Sequence, residues 1–141
     1  MPVSEDVWKF MKDHLEYDDQ EMEKFRGNPA NEDILSKGRE LMNKTLVFEV
    51  VESKGCNSKH KVGDKFYFDG AGNLLTGKSP KRCCIYALQV MVPAIFASNE
   101  LIYAGIDANS MRFKSASCFD VGVKCCGWGQ ITVRFSAEEK M

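Results

Sequence analysis

The chain has 141 residues, 44% of them hydrophobic and 28% charged, which is the make-up of a folded domain and excludes general disorder. Nineteen Lys and Arg residues nearly cancel 20 Asp and Glu, leaving a net charge of −1 and no global field that would draw nucleic acid or an anionic membrane. The longest apolar run, Ile85 to Ser98, is interrupted by Gln89 and Pro93 and falls short of the ~18 residues that a spanning helix needs.

The first residues (Pro2-Val3-Ser4-Glu5-Asp6-Val7-Trp8) are acidic and amphipathic, without the basic-then-apolar order of an export signal, so the expected location is the cytoplasm. Residues 1–44 read as a helical arm. Ser4 caps a first helix, with Glu5 and Asp6 at the positive end of its dipole and Val7, Trp8, Met11 and Leu15 as its apolar stripe. Asp18 and Glu21 have the spacing of a capping box, and Gly27 with Pro29 stops that second helix. A third segment is expected from Asn31, with Gly38 inside it. His14 lies on a charged helix and reads as solvated. These helices are a candidate docking surface for a second copy or another protein.

Residues 45–141 form the cysteine-bearing part. Thr45 to Glu52 is β-branched and aromatic and predicts a strand; Val62 to Phe68 predicts a second, followed by a tight turn over Asp69 to Asn73. Ser79-Pro80 has the form of a helix start, and the main helix is expected over about 81–99, kinked at Pro93. Phe119, Val121, Val123 and Cys125 alternate, as do Ile131, Val133 and Phe135, with Gly127-Trp128-Gly129 as the turn between two strands. The fold class is therefore α+β: a small, mostly antiparallel sheet packed on one main helix.

Six cysteines are too few for a disulfide scaffold and many for a plain intracellular domain, and in a reducing compartment clustered cysteines point to metal or thiol chemistry. Cys56 and His60 share a glycine-led loop and can converge on one ion. Cys83 and Cys84 fall in the expected first turn of the main helix, where free N–H groups and the dipole favour a thiolate. Cys125-Cys126-Gly127 has a cysteine entering a glycine turn. One residue of each pair, with Cys56 and His60, makes a three-sulfur, one-nitrogen set: Cys56, His60, Cys84 and Cys126 (or Cys125). Cys118, ahead of Phe119, reads as core. Gly63-Asp64 reads as a turn into a strand, with Asp64 orienting His60 as the alternative.

From Thr45 to Phe135 the chain resembles a family of small, largely uncharacterised prokaryotic proteins. Their pattern is a strand, Cys-x-x-Gly-His-x-x-Gly-Asp, a helix opening Cys-x-x-Ala-Leu with proline nine residues after that cysteine, and a cysteine before the last strand. The chain carries Cys56-Asn57-Ser58-Lys59-His60-Lys61-Val62-Gly63-Asp64, then Cys84-Ile85-Tyr86-Ala87-Leu88 with Pro93, then Cys125 or Cys126 ahead of Ile131 to Phe135. Lys59 stands at the family's glycine, and Gly127-Trp128-Gly129 replaces its proline-bearing turn. The resemblance implies the same four site positions and carries no activity.

Three functions are open to such a chain. The first is a Cys/His metal site, with zinc favoured and iron served by the same donors, closed and structural or open and catalytic. The second is a metal-free thiol enzyme with Cys84 as nucleophile and His60 as its base. The third is a non-catalytic accessory subunit in which the cysteines are core.

Overall fold

A computed structural model describes residues 2–140. The chain forms two compact units, one up to Glu40 and one from Leu41 onward.

The first unit holds α1 (Glu5–Leu15), α2 (Asp19–Arg26) and α3 (Pro29–Ser36). Ser4 caps α1 by accepting the Val7 N–H. At α2 the Asp18 carboxylate accepts the Glu21 N–H at 2.7 Å while Glu21 reaches back to the Asp18 N–H at 3.1 Å, a complete capping box. Trp8 is buried, with Phe25 edge-on at 6.2 Å and the Arg26 guanidinium over its ring at 5.1 Å; Arg26 also pairs with Glu5. The third helix begins earlier than its apolar stripe indicates. Asn28 is its cap and Pro29 its first residue, so the proline opens a helix here instead of only closing one. Lys37 ends α3, and Gly38 opens the short α4 (Gly38–Met42), which straddles the boundary between the units.

The second unit is α+β. Its four-stranded antiparallel sheet has the order β2-β1-β4-β3, built from β1 (Lys44–Lys54), β2 (Lys65–Asp69), β3 (Ser115–Ser117) and β4 (Gln130–Glu139). Period-two alternation places Leu46, Phe48 and Val50 of β1, Phe66 and Phe68 of β2, and Ile131, Val133 and Phe135 of β4 in one core. Phe48 sits opposite Phe66 on one side and Phe135 on the other, with the Phe48 and Phe135 rings 5.4 Å apart. The helix α5 (Ile85–Tyr103) lays Ala87, Met91 and Ile102 on this face. Fully burying each such large side chain contributes roughly 1.5–3 kcal/mol.

Three segments depart from the sequence expectation. The main helix starts at Ile85, not near Lys81, because the Ser79 hydroxyl serves β2 instead of capping: it accepts the Tyr67 N–H at 2.9 Å and lies 3.3 Å from the Tyr67 carbonyl. It also runs through Pro93 to Tyr103, so it is long and apolar enough to cross a membrane by length and composition, a measure that a core helix also meets. The alternating stretch from Phe119 to Cys125 is not a strand. Phe119, Val121 and Val123 are exposed, and Val123–Cys125 is a single 3-10 turn. The strand that pairs with β4 there is the short β3, ahead of the alternation.

Candidate functional site

The site is built where three segments end at one edge of the core. After β1 the chain turns at Gly55, and the loop to Asp64 is tied back onto that strand. The Ser53 hydroxyl donates to the His60 carbonyl at 2.5 Å, and Gly63 N–H and Val50 C=O pair at 2.9 Å, as do Val50 N–H and Asp64 C=O at 2.8 Å. These bonds hold His60 inward, 4% exposed, with its ring edge-on to Phe66 at 5.0 Å. The second segment is the start of α5, where Cys84 is the N-cap residue. The third is the chain leaving β3 through Cys118, whose N–H bonds the Ile131 carbonyl at 3.0 Å and so continues the ladder with β4.

Between them lies a cavity of about 270 Å³ whose wall carries Cys56, His60, Cys84 and Cys118. Ala87 and Ile131 supply apolar lining, and the exposed Trp128 and Tyr86 stand at its rim. The four donors share this wall without meeting: among the described residues no three His, Cys, Asp or Glu side chains are set to hold a metal ion. Cys125 and Cys126 are exposed on the 3-10 turn and its left-handed exit and form no part of the wall.

The electrostatics are distinctive at His60. Its Nε2 is buried and has no hydrogen-bond partner among the described residues. Burial holds the imidazole below its ordinary value of 6.5, opposed in part by the charge of Asp64, so the ring is neutral at physiological pH. Asp64 makes no hydrogen bond to His60; its carboxylate accepts the Lys61 N–H at 2.9 Å and closes the turn into β2. Cys83 differs from the expectation of a helix-activated thiolate. It lies before the cap, its sulfhydryl donates to the Pro80 carbonyl at 3.1 Å, and burial pushes its pKa up.

Two residues that shape the site gave weak sequence signals. Asp120 gathers the loop beneath Cys118: its carboxylate accepts N–H groups from Gly122 (2.9 Å), Trp128 (2.9 Å) and Gly129 (3.0 Å), and those bonds hold it below the usual carboxylate range. The signal available was an Asp followed by three glycines within nine residues, which marks a polar turn. Cys118 packs against the core, as its place ahead of Phe119 indicates, and it also lines the cavity, a position with no signal in the sequence. A larger hollow of about 1060 Å³ lies between α5, the sheet residues Phe48 and Val133 and the segment carrying Met111 and Phe113, with neither cysteine nor histidine in its lining. No protein-family model, curated protein or solved structure matches the chain.

Proposed function

We propose that this protein binds one soft divalent metal ion, zinc by its donor chemistry, through Cys56, His60 and Cys84 in the 270 Å³ cavity. The observation that carries this reading is the unpartnered, buried Nε2 of His60. A buried polar atom without a partner costs about 1–3 kcal/mol, and a cation is one ligand that meets a neutral ring nitrogen. Desolvation favours the reading further, since the neutral imidazole is the form that ligates. Rotation of a cysteine about χ1 carries its sulfur by about 3 Å between staggered wells, so binding draws the thiols in from the cavity wall. A thiolate–imidazole pair is less well supported, because that same nitrogen bonds no sulfur.

The test is elemental analysis of tag-free protein, with thiol titration before and after a chelator. About one metal per chain, with two or three thiols protected until chelation, supports the reading and identifies the ion. No metal, no uptake of added zinc and six freely titrating thiols would remove it. If in that case one thiol alkylated much faster than the rest, and His60→Ala slowed it, the site would belong to a Cys84 nucleophile with His60 as its base.

A further inference from the structure

We infer that Cys118, and neither Cys125 nor Cys126, is the fourth donor of this site; the inference rests on the metal reading above and deepens it. Cys118 supplies the third sulfur on the cavity wall, facing the same space as Cys56, His60 and Cys84. Its Sγ already accepts the Ile131 N–H at 3.4 Å. An N–H that bonds a cysteine sulfur is the kind of surrounding contact that orients a ligating side chain. The thiol proton points elsewhere, toward the Asp120 carbonyl 3.6 Å away. Loss of that proton therefore breaks one weak bond and leaves the N–H···S bond in place.

The backbone around Cys118 is fixed on both sides. Its own N–H is part of the ladder with β4, and two residues on, Asp120 clamps the loop through three N–H groups. The backbone can therefore stay in place while the Cys118 side chain swings toward the other donors. Cys125 and Cys126, by contrast, are exposed and do not line the cavity, and Cys126 has a left-handed backbone at φ 67°.

Four protein donors, three sulfurs and one nitrogen, fill a tetrahedral shell and leave no position for water. The site is then structural, joining the loop after β1, the start of α5 and the end of β3. Each thiol that ligates gives up its proton to solvent.

The experiment uses the full chain reconstituted with cobalt(II), which takes the same sites as zinc and reports sulfur ligands by near-ultraviolet charge-transfer absorption. Cys118→Ser is expected to lower that absorption by about one third, three thiolates becoming two, and to weaken metal affinity at least about tenfold. The double variant Cys125→Ser/Cys126→Ser is expected to match the wild type. If the double variant loses the band and Cys118→Ser keeps it, the inference is wrong while the metal reading stands. If the wild type takes up no cobalt, both fall. Should Cys118→Ser fold poorly, alkylation of the wild-type protein decides instead: zinc should slow labelling of Cys118 together with Cys56 and Cys84, and leave Cys125 and Cys126 unchanged. Labelling of Cys118 at one rate with and without zinc would overturn the assignment.

Discussion

Gly129 packs against the carbonyl of Gly55 so closely that a β-carbon on Gly129 would stand 1.9 Å from that oxygen and 2.8 Å from the Cys56 nitrogen. The loop that presents Cys56 is thus seated directly on the loop that follows Asp120. Gly129→Ala must push the two backbones apart, and we expect it to destabilise the second unit by about 2–4 kcal/mol in urea denaturation. Gly77→Ala, where a β-carbon meets nothing within 4 Å, is the control and should stay within about 0.5 kcal/mol of the wild type. Equal stability of the two variants would mean that the loops do not touch.

Asp120 should matter through the loop it gathers. Its carboxylate is the shared acceptor for Gly122, Trp128 and Gly129, and Gly127 packs so near that a β-carbon there would lie 2.3 Å from the same carboxylate. Asp120→Ala leaves three N–H groups to find water, so the segment from Cys118 to Gly129 should loosen before the core does. Limited proteolysis is expected to cut the variant first within that segment. A cleavage pattern identical to the wild type would show that the clamp is dispensable.

The pH dependence follows from His60. Its folded pKa is depressed, chiefly by burial, while the unfolded imidazole titrates near 6.5. Between those two values the unfolded chain binds more protons than the folded one, so stability rises with pH there. The contribution is therefore complete above about pH 6.5 and is lost as the pH falls through the lower folded value. Denaturant midpoints of chelator-treated protein between pH 7.5 and 5 should fall more steeply for the wild type than for His60→Gln. Parallel curves would place the titrating group elsewhere.

How much of this was legible beforehand divides along a physical line. Leu46, Phe48 and Val50, and again Ile131, Val133 and Phe135, alternate because each strand buries one face, and that signal is local. Phe119, Val121 and Val123 alternate just as clearly yet stay exposed. Their path is set by the Asp120 carboxylate reaching Trp128 and Gly129, eight and nine residues away, which no periodicity encodes. Ser79 failed as a helix signal for a similar reason, its hydroxyl being taken by Tyr67 on a neighbouring strand. Cys56, His60 and Cys84 could be singled out from their loop and cap positions. Cys118 could not, because only the pairing of β3 with β4 brings it to the same cavity.

Lys59 offers a test of the loop that carries His60. It occupies a left-handed conformation at φ 61°, with its N–H closing a turn onto the Cys56 carbonyl at 3.1 Å. A side chain in that region costs about 1–2 kcal/mol through the contact of Cβ with the backbone. Glycine removes the contact but returns roughly 0.5–1 kcal/mol of flexibility to the unfolded chain. The balance predicts that Lys59→Gly stabilises the protein by about 0.5 kcal/mol, whereas Lys59→Val, branched at Cβ, destabilises it by about 1 kcal/mol or more. Both differences are readable as shifts of the urea midpoint. A destabilising glycine together with a neutral valine would mean that the Cys56–His60 turn has a different backbone path, and the donor geometry proposed for His60 would go with it.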